Sequence, residues 1–171
     1  MRILISSHDI QVRVRQMAAD IHLDHPDGVH LIAILNGAFM FLSDLARAIP
    51  GRCSIDFMAV SSYGIRSSSS GQVQLLKDLD TRIEGRSVVI VEDIVDTGLT
   101  LTYLQNLLRA RSPGSLRTAC LLNKPSRRRV DVAIDYVGFT IEDTFVVGYG
   151  LDAAQQHRNL PHIAAMDVAE S

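Results

Sequence analysis

The sequence contains no tryptophan, two cysteines and five prolines in 171 residues, and its only lysines are Lys77 and Lys124. Each shortage excludes something. Cys53 and Cys120 lie in the apolar stretches CSIDFMAV and LRTACLL without CxxC spacing, which excludes a disulfide framework and suits inert thiols in a reducing cytosol. His22, His25 and His30 give Cys53 no structural-zinc spacing. Positive charge is not in excess: 17 Lys and Arg face 19 Asp and Glu, for a net charge of −2. That leaves no global basic field to capture nucleic acid or an anionic membrane, so any anion must be gripped locally. No apolar run approaches the ~18 residues that span a bilayer. The opening MRILISSHDIQVRV turns polar too early for a signal-peptide core. The expectation is a cytoplasmic protein with no nucleic-acid and no membrane partner.

What is present reads as a single α/β domain over residues 1–171. From Ser7, the spacing of Ile10, Val14, Met17 and Ile21 predicts an amphipathic helix behind a Ser/Asp start signal. VHLIAIL is a continuous apolar run, as in a strand buried on both faces, and stops at Asn36-Gly37. A helix with Phe41, Leu42, Leu45 and Ile49 on one side follows, closed by Pro50-Gly51; CSIDFMAVSSYG then reads as a strand. IRSSSSG is the one low-complexity patch, and an apolar pattern resumes at VQLLKDL. In SVVIVEDIVDTGLTLTYLQNLLRAR a β-branched run ends at acids, and Leu101, Leu104, Leu107 and Leu108 recur at helical spacing. LRTACLL, the alternating VDVAIDYV (Val130, Val132, Ile134, Tyr136), TFVVGYG and HIAAMDV are expected as further strands. Strands alternating with helices imply a largely parallel sheet whose ligands bind beyond the strands' carboxyl ends.

The run VVIVEDIVDTGLT places Glu92, Asp93 and Asp96 at such an end, then Thr97, Gly98, Leu99 and Thr100 at the start of a helix. Helix N-terminal amides, two hydroxyls and a glycine make a phosphate cradle, and the adjacent acids suit ribose hydroxyls or a hard cation such as Mg2+. Taken singly, each residue also fits an ordinary strand end or capped turn. The whole run is more specific, since it has neither the GK[ST] of a P-loop nor a G-x-G-x-x-G.

This run resembles the signature with which phosphoribosyltransferases bind 5-phosphoribosyl 1-pyrophosphate (PRPP). The motifs LNGAFMF at 35–41, SSYG at 61–64, LLNKP at 121–125 and VGFTIEDTFVVGYGLD, with Arg158 beyond it, resemble those of the hypoxanthine-guanine branch. The resemblance implies a type I phosphoribosyltransferase fold: a central, mostly parallel sheet flanked by helices, with a small hood region and a mobile active-site loop over 61–76. It implies purine salvage, converting hypoxanthine and guanine with PRPP to IMP and GMP with Mg2+ as cofactor, in a homodimer or homotetramer. Residue by residue, it makes Asp96 the catalytic base near N7 of the purine. Glu92 and Asp93 become the acids that face ribose or metal, Asp152 a further metal ligand, and 96–100 the 5-phosphate loop. Lys124 would donate to the purine 6-oxo group, Phe145 would stack on the base, and Val146, with Asp152 again, would meet its edge. Asn36 and Gly37 with Arg158 would take pyrophosphate, and Ser62-Tyr63 would belong to the closing loop. It further implies a cis peptide between Leu35 and Asn36.

The chemistry asks for the same residue types: a proton acceptor, cations for the leaving group, and a fixed donor for O6 that opposes the amino group of adenine. One departure is that Asn36 stands where the family usually carries a basic residue. Alternatives remain at this point: a preference for xanthine or another base, or a regulatory protein on the same fold. Seen alone, Phe145 reads as core, Lys124 and Arg158 as solvated cations, and Arg127, Arg128 and Arg129 as a surface patch.

Overall fold

The computed structural model describes residues 1–61 and 73–166. Ser62 and Tyr63 therefore lie outside the described residues. In chain order the elements are β1 (Arg2–Ile5), α1 (Ser7–Asp24), β2 (Val29–Leu35), α2 (Phe39–Ala48), β3 (Cys53–Ser61) and β4 (Gln74–Lys77). Then come β5 (Ser87–Val95), α3 (Leu99–Arg109), β6 (Ser115–Asn123), β7 (Tyr136–Thr140), β8 (Val146–Val147) and β9 (Ile163–Ala165).

Two sheets form. The larger has the order β4-β3-β2-β5-β6-β7, parallel except for β4, and the smaller is an antiparallel β1-β9-β8 sheet. From the centre of the larger sheet the chain winds both ways, β2 through α2 to β3 on one side and β5 through α3 to β6 on the other. Right-handed crossovers running in opposite directions place their helices on opposite faces. Accordingly, Leu31, Ala33, Val89 and Val91 pack with α1 and α2 in one core, whereas Ile32, Ile34, Val88 and Ile90 pack with α3 in the other. Alternate residues of each strand feed opposite cores, so both faces must be apolar, and the unbroken Val/Ile runs follow. The carboxyl ends of β2 and β5 meet at the switch point between the two windings, where an open α/β sheet leaves a crevice.

Most expected elements are present, and α1 is capped by Ser6, whose Oγ accepts from the Asp9 amide at 3.1 Å. One expectation fails. Strand structure begins only at Tyr136, so Val130, Val132 and Ile134 alternate without belonging to a strand. Val132 and Ile134 instead pack on the α3 core, and the carbonyl of Ala133 accepts from Gln105 Nε2 at 2.9 Å. The segment is held by a helix side chain rather than by a ladder. Strand β1 escaped notice because it is four residues long and mostly exposed. Of the stretch expected as a mobile loop over 61–76, residues 62–72 lie outside the described residues; Ser61 pairs opposite Gln74, and Gln74 opens β4. The Leu35–Asn36 peptide is cis, as the resemblance implied. Cys120 is buried and Cys53 half-buried; burial raises both thiols, Cys120 to about 12, in keeping with inert cysteines. No helix among the described residues is long and apolar enough to cross a membrane.

Asp56, buried in β3, fixes the passage from β4 to β5. Its Oδ2 accepts from the amides of Asp80 and Thr81, both at 3.0 Å, and from the Thr81 hydroxyl at 2.9 Å. Burial alone would raise its pKa; the bonds from Phe57, Thr81 and Asp80 outweigh it and hold the carboxyl below the usual carboxylate range. Asp56→Ala, which strands these donors, is expected to cost about 2–3 kcal/mol in urea unfolding at pH 7. Because the folded pKa is depressed, this contribution is present above the unfolded value and is lost as pH falls through the folded one. Wild type and variant should therefore converge in stability at acidic pH, once the pH has fallen through the depressed folded value of Asp56.

Candidate active site

At the carboxyl end of β5 the chain turns through Asp96-Thr97-Gly98 into α3. Asp96 Oδ1 accepts from the Thr97 amide at 2.6 Å. Gly98 has φ +83°, so a side chain there would be strained; a Cβ would also meet the Val130 carbonyl at 3.0 Å and Arg128 Cδ at 3.2 Å. Gly98 at the N-cap offers α3 no side chain, and the Thr97 hydroxyl accepts from the Leu99 amide at 3.3 Å. Among the described residues, the amides of Gly98, Thr100 and Leu101 donate to no protein acceptor. Three unspent N–H groups at the positive end of a helix dipole, beside the hydroxyls of Thr97 and Thr100, are suited to one tetrahedral anion. A cleft of about 210 Å³ opens here, lined by Glu92, Asp93, Asp96, Gly98 and Thr100, with Val60 from β3 on its wall.

The two acids before the turn differ. Glu92 is 6% exposed, and no protein donor reaches its carboxylate among the described residues. Burial first, then the charges of Asp93 and Asp96, push its pKa well above the usual carboxylate range. Asp93 is half-buried. Burial raises it to about 6, against the Ile94 amide, which donates to Oδ1 at 2.8 Å, and the charge of Arg158. Oδ2 of Asp93 lies against Gly37, where an added Cβ would overlap it, and a Cβ at Gly150 would overlap the carbonyl of Gly37. Three segments thus converge at Gly37.

Through that convergence Asp152 and Arg158 come to the acids. Arg158 Nη2 pairs with Asp152 Oδ1 at 2.8 Å, and Nη1 donates to the Gly150 carbonyl at 2.7 Å. Tyr149 anchors the segment, its hydroxyl donating to Asp44 of α2 at 2.5 Å and its amide to the Leu160 carbonyl at 2.8 Å. At the end of β2, Asn36 is exposed and its amide and that of Gly37 are unpartnered among the described residues, whereas the Ala38 amide is spent on the Ile34 carbonyl at 3.2 Å.

The end of β6 meets the segment between β7 and β8 at Lys124. Lys124 is 7% exposed, so it is no solvated surface lysine. Its Nζ donates to the Thr144 carbonyl at 2.8 Å and stands 3.8 Å from Asp143 Oδ1. Burial lowers its pKa, Asp143 and Asp96 oppose that, and Arg127 adds to it. Phe145 departs from its isolated reading in the opposite sense: it is 41% exposed, an aromatic face left uncovered, while Val146 beneath it is buried. Burying a phenylalanine is worth about 2–3 kcal/mol, so an exposed aromatic ring is a surface on which a planar group can stack.

The arginine run does not form one patch. Arg127 pairs with Asp143, while Arg128 bonds the Asn123 side chain and packs over Gly98. Sequence reasoning missed Arg128 and Asp143, since neither stands out from its charged neighbours before the chain is folded.

The sequence model of the phosphoribosyl transferase domain matches residues 5–154. The hypoxanthine-guanine phosphoribosyltransferase of Bacillus subtilis is 47% identical over 169 residues, covering 98% of this chain and 94% of its own. The hypoxanthine phosphoribosyltransferase of Haemophilus influenzae is 44% identical, over 98% of this chain and 96% of its own. A crystal structure of a hypoxanthine-guanine phosphoribosyltransferase from Bacillus anthracis, with a HEPES molecule in its active site, superposes with a TM-score of 0.93. It is 44% identical and aligns over 98% of this chain and 99% of that one.

The Gly37 junction yields a structural test. Gly37→Ala drives a Cβ into the Asp93 carboxylate and is expected to destabilise the fold by about 1–3 kcal/mol. Adding Asp93→Ala should restore most of that loss, which a double-mutant cycle in urea would read as coupling of about 1 kcal/mol or more. Additive losses would mean the two residues are not in contact.

Proposed function

The chain belongs to the hypoxanthine-guanine phosphoribosyltransferases, and from that premise we propose how its site transfers the phosphoribosyl group of PRPP to hypoxanthine and guanine. The observation that supports the reading is the placement of Asp96 and the buried Lys124 directly after Val95 and Asn123, which pair at the end of the β5–β6 ladder. On a 6-oxopurine, O6 and N7 lie side by side on one edge. Lys124 donates to O6, and Asp96 faces N7. Phe145 stacks on the ring, and the backbone of Val146 meets its far edge.

The 5-phosphate sits on the amides of Gly98, Thr100 and Leu101 and the hydroxyls of Thr97 and Thr100. The amides of Asn36 and Gly37, with Arg158, take the pyrophosphate. As N9 forms its bond to C1 of the ribose, the bond from C1 to the pyrophosphate oxygen breaks, and the proton on N7 passes to Asp96. Asn36 supplies no positive charge at this step, so Arg158 and the amides bear more of it.

Glu92, Asp93 and Asp152 are the residues that would hold Mg2+. Their oxygens are hard donors, and the buried, unpartnered carboxylate of Glu92 is satisfied by a ribose hydroxyl or a hard cation. No three acids, histidines or cysteines among the described residues form a ready cage. That suits an ion that takes most of its ligands from phosphate and water. When bound, Mg2+ supplies neutralisation of the leaving pyrophosphate. We further propose a cytoplasmic homodimer or homotetramer, on the strength of the free thiols and the family likeness.

Two variants test the reading. Asp96→Asn should lower kcat by about 100-fold or more with the KM for PRPP little changed, as expected for loss of proton transfer. Lys124→Ala should raise the KM for hypoxanthine by about 10-fold and narrow the kcat/KM gap between hypoxanthine and adenine. Unaltered discrimination would remove Lys124 from base recognition. Comparing hypoxanthine, guanine, xanthine and adenine on the wild type ranks the bases directly.

A further inference from the structure

Lys124 does not face its partners alone. Asp143, in the segment before Phe145, stands between two cations: its Oδ1 is 3.8 Å from Lys124 Nζ and 3.3 Å from Arg127 Nη1, which lies 3.5 Å from its Oδ2 as well. Arg127 occupies the short turn that directly follows Lys124, and its amide donates to the Lys124 carbonyl at 3.2 Å. At 3.8 Å the carboxylate attracts the ammonium by charge but takes no hydrogen bond from it. An ammonium has three donors; one is spent on Thr144, so two remain for a ligand as long as Asp143 stays back.

We infer that Asp143 is a positioning residue for Lys124, and that Arg127 tethers Asp143 at the distance where it supports the lysine's charge without consuming the donor meant for the purine O6. This rests on the reading that Lys124 binds O6. The charged groups facing Lys124 are Asp143 from the β7–β8 segment, Arg127 from the turn after β6, and Asp96 from the β5–α3 loop. Removing Asp143 withdraws a stabilising charge from the ammonium. Removing Arg127 does two things: it deletes a repelling charge and frees Asp143 to close on Nζ and capture a donor.

The two lysines of the chain make a direct measurement simple. In protein labelled with ¹³C-lysine, the two Cε resonances titrate separately, and Lys77, which bonds Phe57, Asp78 and Asp80 instead, serves as internal control. Asp143→Asn should lower the Lys124 midpoint by about half a pH unit and Arg127→Gln should raise it by about as much, with Lys77 unmoved in both. Arg127→Gln should also raise the KM for hypoxanthine on the order of threefold while leaving the KM for PRPP unchanged. Tighter charge with weaker base binding is a combination that a merely structural role would not produce. Shifts of one sign in both variants, or none, overturn the inference, as do opposite shifts with an unchanged KM. Failure of the underlying reading is seen separately, in a Lys124→Ala enzyme whose base discrimination is intact.

Discussion

Gly37 lies where three stretches remote in sequence have to touch. The missing Cβ at residue 37 leaves room for the Asp93 carboxylate, and the missing Cβ at Gly150 leaves room for the Gly37 carbonyl. Strand β2 delivers Gly37, β5 delivers Asp93, and the loop anchored by Tyr149 delivers Gly150 together with Asp152 and Arg158. Because backbone meets backbone, the amides of Asn36 and Gly37 end up beside both the acids and the arginine. A side chain at either glycine would separate these elements by the width of a methyl group, enough to dismantle a site built from short contacts. Placement of the other groups follows from the sheet: α3 presents its amides because β5 ends one residue past Asp93's neighbour Ile94, at the switch point.

On the proposed function, this close approach also accounts for how a chain of net charge −2 would handle a polyanion. Neutral amides in fixed orientation bind phosphate without bringing desolvated cations into the fold, and a helix end adds its dipole. The carboxylates are then the electrostatic liability. Burial raises both Glu92 and Asp93, with the charges of Asp93 and Asp96 adding to it at Glu92 and that of Asp152 at Asp93, while the Ile94 amide bonds Asp93 and no side-chain or backbone donor among the described residues bonds Glu92. A structure built only for stability would fill that place with apolar side chains. Retaining two such acids makes sense for a surface that is completed by hydroxyls or a cation.

The parallel core was legible in the sequence because strands buried on both faces must be apolar throughout, and β2 and β5 are. The cradle was legible because acids, glycine and threonines occur there in one unbroken run. What could not be read was whatever depends on contacts across the chain. VDVAIDYV alternates as a strand does, yet Gln105 takes its carbonyl and α3 its side chains, so the pattern records packing on a helix. Lys124 and Phe145 were each misjudged when taken singly, in opposite directions, since burial is a property of the neighbours. Asp143 carries no signal at all until the turn after β6 brings Arg127 against it.

The relation between Asp96 and Lys124 shows how strand register becomes chemistry. In the β5–β6 ladder Val95 pairs with Asn123, and the Lys124 amide donates to the Val95 carbonyl at 2.9 Å. Asp96 and Lys124 are therefore the first residues beyond the ladder on two adjacent strands, about 5 Å apart at the backbone. On the proposed function, a proton acceptor and a fixed cation at that spacing would match two neighbouring atoms on the edge of a purine. A slip of one residue in either strand would send one of them to the opposite face. On the proposed function, the phosphate is held by β5 and α3 alone, whereas base recognition would need β5, β6 and the segment through Phe145. Substitutions on the β6 side would then alter which base is accepted while the grip on the sugar phosphate is kept.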